Sequence, residues 1–457
     1  MFAHHAFFRT PAAARRPIIC TLLLPIVVLA TPRSSLAQAA GGGSQLGMAM
    51  EHPHTATPLA ELLREADQNN PQIRAARQVW EAAKQIPSQV STLPDPEFQI
   101  QQVNVGSPRP FAGYTNSDFA YLSLGVSQEL PYPGKLRLKG EMAKRSVDVV
   151  QQEYESVRRS VLAALKAAYF QLSYFSQALD ILDNDKEVLR EIAQAAEVRY
   201  RSGTGTQQDI LQAQLEETKL LEEDAHHHLQ EGLLEAQVKR LLNRPQWSPD
   251  IKASPLSVSA LGYSYDQLLL AAKGQNPDIA ATEKNIERQK LGVDLAHKDF
   301  YPDFSVQYTW QRTDPDRYRA YYMLTFGIRV PIYRGRKQRP ELEQAQIDLA
   351  RAHTAEEVET AQVASDLREH YLTAERTDEM LKIYRDGLMP QARAEFESGL
   401  SSYQSNRQEF QPLLESYRDI LRLDEDYWQT AAEHETAVAK IEEITGLTLA
   451  GTNTDKE

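Results

Sequence analysis

Residues 127–140, SQELPYPGKLRLKG, set two prolines and a glycine between an alternating segment and a run, 141–202, without either residue. A second stretch, IRVPIYRGRKQRP at 328–340, repeats this order ahead of another long helical pattern. Proline lacks a backbone N–H and glycine favours turns, so each stretch predicts a corner between a strand and a helix. The corner residues are Pro131, Pro133 and Gly134 in the first stretch and Pro331 and Gly335 in the second.

The corner occurs twice because most of the chain is duplicated. LLREADQNNPQIRAARQVWEAA, from Leu62, aligns without a gap over LLLAAKGQNPDIAATEKNIERQ, from Leu268. The same register places PEF at 96–98 over PDF at 302–304. Each half reads as helix, strand, strand, long helix, glycine turn and long helix. The predicted organisation is a first repeat at 58–243, a linker at 244–263, a second repeat at 264–446 and a tail at 447–457.

Four short segments, at about 97–105, 118–128, 303–311 and 321–330, alternate between apolar and polar residues as strands do. The first alternates least clearly, because the pattern breaks at Gln102. An apolar outer face with aromatic residues near its ends is typical of outer-membrane barrels, while an ordinary sheet covered by helices is the alternative. The residues predicted to face lipid are Leu122, Leu124, Val126, Phe304, Val306, Tyr308, Trp310, Leu324, Phe326 and Ile328.

The long helices carry a heptad pattern. Positions 147, 154, 161, 168, 175, 182, 189 and 196 are all apolar. Some sixty residues of helix would extend roughly 90 Å, which a compact globule does not need. Gly203 and Gly399 are predicted to end their helices as C-terminal caps. Two coiled-coil hairpins, 137–243 and 338–446, are therefore expected to project from the strands.

The amino-terminal residues resemble an export signal. Basic residues precede the apolar run IICTLLLPIVVLA and the small residues before Ala37, so we expect a signal peptide over 1–37 and a flexible segment over 38–57. The sole cysteine, Cys20, would be lost with the signal peptide. Beyond that segment no apolar run is long enough for a transmembrane helix.

Net charge and motif content argue against two classes of function. A net charge of -13 argues against nucleic acid as a partner. The sequence contains no phosphate-binding glycine loop, no paired Cys-x-x-Cys and no His-Glu-x-x-His, so we expect neither an enzyme nor a bound cofactor.

Four features together carry a family resemblance: the signal peptide, the duplicated halves, QELPYPGK before a long helix, and YRSGTGTQQDILQAQ at a hairpin tip. With them the chain resembles the TolC-like outer-membrane efflux proteins from about residue 58 to 446. The resemblance implies a mainly α-helical homotrimer in which three chains form one twelve-stranded barrel in the bacterial outer membrane. It also implies a coiled-coil tunnel in the periplasm, a periplasmic adaptor that docks on it and an inner-membrane pump.

The strand count leads to the same assembly independently. Four strands cannot close a barrel, and an open sheet edge in lipid would leave backbone groups unpaired at several kcal/mol each. Strands that span a membrane must therefore come from several chains. The alternative is a secreted coiled-coil scaffold or adhesin without a pore, which has no use for exposed apolar strand faces.

The hairpin tips are the predicted docking surface. They recur at a three-residue step, as Tyr200, Gly203, Thr206 and Asp209 in the first hairpin and Phe396, Gly399 and Ser402 in the second. The family often narrows its tunnel with aspartates about six and nine residues after the second glycine. The chain has Ser405 and Gln408 there, or Gln408 and Gln411 if an insertion is skipped, with Glu409 as the nearest acid and Asp209 in a comparable place in the first hairpin.

Two motifs raise the question of metal. Met48, Met50, His52 and His54 are weak candidate ligands for copper or silver in the amino-terminal segment. The triplet HHH at 226–228 is expected to be a solvated face, because consecutive helical residues point about 100° apart and cannot share one ion. Heavy-metal ions and drugs both remain open as cargo.

Overall fold

The computed structural model describes residues 57–104, 120–313 and 319–449. The predicted signal peptide, the Met/His cluster and the ends of two predicted strands, at 105 and 118–119, lie outside these residues. The helices of the first repeat are α1 Leu59–Asn69, α2 Pro71–Ala83, α3 Ile86–Ser91, α4 Lys135–Arg201 and α5 Gln207–Leu242. Those of the second are α6 Tyr265–Gln275, α7 Pro277–Lys298, α8 Gln338–Ile383, α9 Met389–Gln404 and α10 Phe410–Thr445. The strands are β1 Glu97–Val103, β2 Tyr121–Leu130, β3 Asp303–Arg312 and β4 Tyr321–Arg329.

The duplicated Asn-Pro pair starts the second helix of each repeat. The Asn70 side-chain oxygen accepts from the N–H groups of Gln72 and Ile73, and its amide donates to the Leu241 carbonyl at 2.8 Å. Asn276 makes the equivalent bonds, including one to the Ile444 carbonyl at 3.1 Å. The following proline is preorganised for the first helical position. One motif thus caps a helix and joins it to the end of the hairpin.

The four strands form one antiparallel sheet in the order β1-β2-β3-β4. Its register aligns Val126 with Tyr308 and Tyr308 with Leu324, so the apolar residues of neighbouring strands stand side by side. Phe98 and Ile100 of β1 join this face opposite Val126 and Leu124. All ten residues predicted to face lipid lie on this one face. The opposite face carries polar residues such as Gln101, Ser123, Gln307 and Thr309.

The apolar face is uncovered in the single chain. Phe98 is 78% exposed and Phe326 is 71% exposed, whereas Ser123 on the polar face is 4% exposed. On the central strands β2 and β3 the polar residues Ser123 and Thr309 are buried while the apolar residues Leu124 and Tyr308 are exposed, which is the reverse of a water-soluble sheet. The alternative of a sheet covered by helices on its apolar face is therefore excluded.

The two corners differ in structure although their sequences are alike. Between β2 and α4 the chain turns within residues 131–134, with Gly134 at a φ of 94°. Between β4 and α8 it uses the longer segment 330–337, and the φ of Gly335 is not positive. Only the first corner therefore requires glycine.

Because only Gly134 has a positive φ, substitution by alanine should destabilise the two corners unequally. Gly134→Ala should destabilise the fold by about 1–2 kcal/mol, because a Cβ is disfavoured at positive φ. Gly335→Ala should change stability by less than about 0.5 kcal/mol, since nothing lies within 4 Å of the added Cβ. Thermal unfolding of the two detergent-solubilised variants compares them directly. Equal destabilisation would contradict the assigned geometry.

The long helix α4 is the axis on which both repeats pack. Its 67 residues span about 100 Å, whereas the return helix α5 has 36 residues. The remainder of α4 contacts α2, α3 and α7, so it pairs with the other repeat as well as its own. A Cβ at Gly140 would lie 2.9 Å from Ser91 Cβ, which shows how closely α3 approaches. The predicted two-helix hairpin therefore describes only the half of α4 nearer the tip, where α4 packs against α5. The other half of α4 packs against α2, α3 and α7.

The hydrophobic core consists of separate apolar clusters along the length of α4. One joins Leu62, Ile73 and Leu165 with the end of α5, and the equivalent cluster of the second repeat contains Leu268, Ile279 and Leu367. A third cluster, near the tips, buries side chains of α4, α5, α9 and α10. The aligned leucine and isoleucine pairs of the two repeats thus occupy equivalent core positions.

The segment 244–263 is a packed strap rather than a free linker. Ser259 donates its N–H to Glu435 at 2.5 Å, and its carbonyl lies 2.8 Å from His434 Nε2. Ser254 accepts from the Ser173 hydroxyl at 2.7 Å, and Ile251 is buried. The strap ties α4 to α10.

The mainly helical fold with a small sheet is confirmed. None of the described helices combines the length and hydropathy needed to cross a bilayer.

Candidate functional site

The first hairpin tip is a tight glycine turn. Gly203 follows α4 with a φ of 71°, and the Thr204 N–H donates back to the Arg199 carbonyl at 2.9 Å. Thr206 then caps α5: its hydroxyl accepts from the Asp209 N–H at 3.3 Å, and Asp209 accepts from the Thr206 backbone N–H at 3.5 Å. This reciprocal capping box satisfies two donors at the helix start. The prediction that Gly203 ends its helix is confirmed.

The second tip corrects the prediction for Gly399. The helix α9 continues past Gly399 to Gln404, and Asn406 supplies the left-handed residue at a φ of 58°. Gly399 is buried, and an added Cβ would lie 3.6–3.7 Å from Gln408, Leu413 and Ser416. An added Cβ would thus make ordinary van der Waals contacts, and Gly399 is an interior position of α9 rather than its end. Asparagine tolerates the left-handed conformation better than most residues, so it replaces glycine at this tip.

The other predicted docking residues divide between surface and core. Tyr200 is 48% exposed and Thr206 is exposed, whereas Ser402 is half-buried. Phe396 packs in the tip cluster, with its ring centroid 6.2 Å from that of Tyr417. The surface of the tips is therefore formed by the turns themselves, at 201–204 and 404–407.

Arg199 joins the two tips. Its guanidinium carbon lies 4.1 Å from the centroid of the Tyr403 ring. Its Nη1 donates to the carbonyls of Tyr403 at 3.3 Å and Gln408 at 3.0 Å, and Nη2 donates to the Thr204 carbonyl at 3.4 Å. Burial raises the pKa of the Tyr403 hydroxyl, and the nearby Asp209 carboxylate raises it further. A cation from the first hairpin is thus bound mainly by backbone of the second.

The residues predicted to narrow a tunnel lie in or beside these turns. Asp209 occupies the first turn of α5, where its carboxylate accepts from the Thr206 hydroxyl at 2.6 Å. Ser405 and Gln408 lie between α9 and α10, and Glu409 is the residue before α10 without a side-chain capping bond. A constriction by these residues remains a prediction.

A buried ionic cluster at the first corner was not predicted. Lys135 Nζ lies 3.0 Å from both Asp299 Oδ1 and Asp303 Oδ1, and its side chain is 7% exposed. The Tyr132 N–H donates to Asp303 at 2.7 Å, and the rings of Tyr132 and Tyr301 stack at 4.6 Å. These contacts join the strand-to-helix corner of one repeat to the helix-to-strand corner of the other. The partners are far apart in sequence, so no local pattern reveals the cluster.

Of the two candidate metal motifs, the structure describes only the HHH triplet. Met48, Met50, His52 and His54 lie outside the described residues. In the HHH triplet, His226 and His228 are exposed, but His227 is only 4% exposed. The interpretation of the triplet as a wholly solvated face is wrong for its middle member, because α4 and α10 cover that side of α5.

The chain is similar to known proteins in both sequence and structure. The family model for outer membrane efflux proteins matches residues 62–223 and 268–446. Protein CyaE of Bordetella pertussis is 24% identical over 219 residues, which cover 46% of this chain and 46% of that protein. The matched region thus spans about half the length of that relative.

Two solved structures share the fold. The outer-membrane channel OprN superposes with a TM-score of 0.73 at 18% identity, over 85% of this chain and 89% of that one. The Campylobacter jejuni CmeC outer membrane channel superposes with a TM-score of 0.71 at 15% identity, over 91% and 94% of the two chains.

A duplicated pair of helical hairpins on a four-stranded sheet with an exposed apolar face defines an outer-membrane channel. The chain belongs to the outer membrane efflux protein family. The protein is accordingly a component of the bacterial outer membrane. The family is one of channels, which fits the expectation that the protein is not an enzyme.

Proposed function

We propose that the protein is the passive exit duct of a tripartite efflux system and works as a homotrimer. The observation that carries this proposal is the sheet. Within the described residues, β1 and β4 each pair on one side only, and the apolar face between them is exposed. Two free edges in lipid would leave unpaired backbone groups, so three copies closing a twelve-stranded barrel satisfy them. The ten apolar residues then face lipid and the polar face lines the lumen.

The helices also support contact between copies. Several leucines of α5 and apolar residues of α8 are more than half exposed in the single chain: Leu211, Leu215, Leu221, Leu229, Leu233, Ile347 and Val358. Exposed apolar residues spread along two helices far from the sheet are costly in water. Neighbouring copies in a helical tunnel would cover them.

The tips are the proposed docking surface for a periplasmic adaptor, which in turn binds an inner-membrane pump. They lie at the end of α4 opposite the sheet, so they are the part that reaches furthest into the periplasm. The bridge from Arg199 to the backbone of Tyr403 and Gln408 holds the two tips together. We infer that this is a closed state, and that adaptor binding favours a state with the tips apart. Asp209, Ser405, Gln408 and Glu409 then lie beside the opening.

The cargo is a heavy-metal ion or a drug-like molecule. The Met/His cluster favours soft metal ions, because thioether and imidazole groups are good ligands for copper and silver. Replacing Met48, Met50, His52 and His54 with serine tests its role in export.

Assembly is the direct test of the channel. Purified in detergent, the protein should run as a trimer, and it should insert into planar lipid bilayers as a conducting pore. Cross-linking with mass measurement gives the subunit number, and single-channel recording gives the conductance. A stable monomer that needs no detergent would overturn the proposal, and it would revive the non-pore scaffold as the alternative.

A further inference from the structure

A cluster of three possible metal ligands joins the return helices of the two hairpins. Glu223 and His227 lie one turn apart on α5, and Glu425 lies on α10. One ligand atom from each lies within 4.8 Å of the other two. His227 Nε2 lies 3.3 Å from Glu425 Oε1, and the Tyr174 hydroxyl donates to the same carboxylate oxygen at 3.1 Å.

The surroundings are apolar and closely packed. A cavity of about 20 Å³ is bounded by the three side chains and by Ala178, Ile181, Leu182 and Leu421. That volume accommodates one small ion or one water molecule. His227 is 96% buried, being only 4% exposed, and its Nδ1 has no hydrogen-bond partner among the described residues. The buried imidazole meets the Glu425 carboxylate through Nε2, on the side of the ring that faces the cavity.

The two glutamates of the cluster differ in the groups that neutralise their charge. Glu223 makes no hydrogen bond or ion pair within the part of the chain that the structure describes. Burial raises the pKa of Glu223, and the neighbouring Glu425 carboxylate raises it further. The nearby cation Lys186 is held by Asp183 at 2.9 Å and Asp224 at 2.8 Å. Glu425 is paired with His227 and its side chain is 33% exposed, so among the described residues Glu223 is the carboxylate of this cluster without a bound basic side chain.

We propose that Glu223, His227 and Glu425 bind a divalent transition-metal ion, of which Zn²⁺ fits best, with water completing the coordination. Nitrogen and carboxylate ligands bind Zn²⁺ at about 2.0–2.2 Å, which sets tetrahedral ligand atoms about 3.3 Å apart. The separation of His227 Nε2 from Glu425 Oε1 already equals this value. The Glu223 oxygen lies within 4.8 Å of both atoms and would have to move closer on binding.

The ion would link the two hairpins. Glu223 and His227 belong to the first repeat and Glu425 to the second, so one bound ion connects α5 to α10. His228 does not contribute, because it is exposed and lies 3.5 Å from Glu231 and 4.0 Å from Asp224. The three ligands include none of the residues predicted for the tips or for the amino-terminal Met/His cluster.

Zn²⁺ titration of the purified, detergent-solubilised full chain tests the site. All variants carry serine at Met48, Met50, His52 and His54, so that the amino-terminal cluster does not obscure the result. Calorimetry should show one Zn²⁺ per chain in this background. Glu223→Gln and His227→Gln should each weaken binding at least about tenfold. His228→Gln, the matched control on the same helix, should bind as the background does.

Thermal unfolding and circular dichroism distinguish loss of the metal site from misfolding. Zn²⁺ should raise the unfolding temperature of the background protein and of His228→Gln, but not that of Glu223→Gln, whose side chain keeps its size. Helical circular dichroism should be the same in all of them. Absence of binding in the background protein, or equal affinity in the background and Glu223→Gln, would overturn the proposal. Neither result depends on whether the trimer conducts.

Discussion

Export is expected to be lost when both hairpin tips carry an added positive charge at exposed positions, in the double variant Gln208→Arg/Gln404→Arg. Gln208 lies in the first turn of α5 and Gln404 is the last residue of α9, and both are exposed. Two long cations per chain, repeated in a trimer, would block close approach of an adaptor while leaving the core untouched. Thr206 and Ser402 are less suitable, because Thr206 caps α5 and Ser402 is half-buried. Loss of that cap alone would cost about 1 kcal/mol.

The measurement is made in cells that carry the proposed adaptor and pump. Tolerance to a panel of metal salts and antibiotics should fall to that of cells without the channel, and cross-linking to the adaptor should disappear. Gln78→Arg, at an exposed position on α2, adds the same charge away from the tips and should leave export unchanged. Trimer yield should be equal in all variants. Normal export by the double variant would place the docking surface elsewhere.

Arg199→Ala should open the tips without an adaptor. The substitution removes the hydrogen bonds to Tyr403, Gln408 and Thr204 and the contact with the Tyr403 ring. These half-buried, charge-assisted bonds contribute about 1–2 kcal/mol per chain to the joined state, so their loss shifts the equilibrium about 5- to 30-fold towards separated tips. Single-channel conductance in planar bilayers should rise accordingly.

Arg201→Ala is the matched control. Arg201 lies two residues further along α4, its side chain is 72% exposed, and it pairs with Glu197 on the same helix. Its removal eliminates one positive charge from the tip without breaking a bridge between hairpins. Equal conductance of Arg199→Ala and the unmodified protein would mean that the bridge does not hold the channel closed. A rise in both variants would assign the effect to charge alone.

Local patterns determined a large part of the fold. Alternation along Phe304, Val306, Tyr308 and Trp310 predicts a strand because side chains of a strand alternate between two faces. The heptad pattern predicts α4 because its apolar residues need one continuous packing face. The gapless alignment of the two Asn-Pro pairs predicts two equivalent units, and both asparagines cap helices in the same way. The strand and helix inferences depend on short periods along the chain, and the duplication depends on matching two segments of sequence.

Inferences that depended on distant neighbours were less successful. Gly399 resembles a helix end in sequence, yet it is a buried position inside α9 beside Leu413 and Ser416 of α10. The two corners share their prolines and glycines, yet only Gly134 adopts a positive φ. In both cases the residue type permits two conformations, and the packing of other helices selects one.

The residues that join the hairpins could come only from the tertiary structure. Arg199 meets the Gln408 carbonyl across 209 positions of sequence, and Glu223 and His227 reach Glu425 on another helix. Lys135 likewise meets Asp299 and Asp303 only because the two repeats pack corner to corner. The sequence by itself determined the strands and helices, which follow from short-range periodicity, and their duplication, which follows from the alignment of the two halves. Which side chains meet between the two repeats was decided by helix packing, because electrostatic and coordinative contacts depend on distance in space and leave no periodic pattern along the chain.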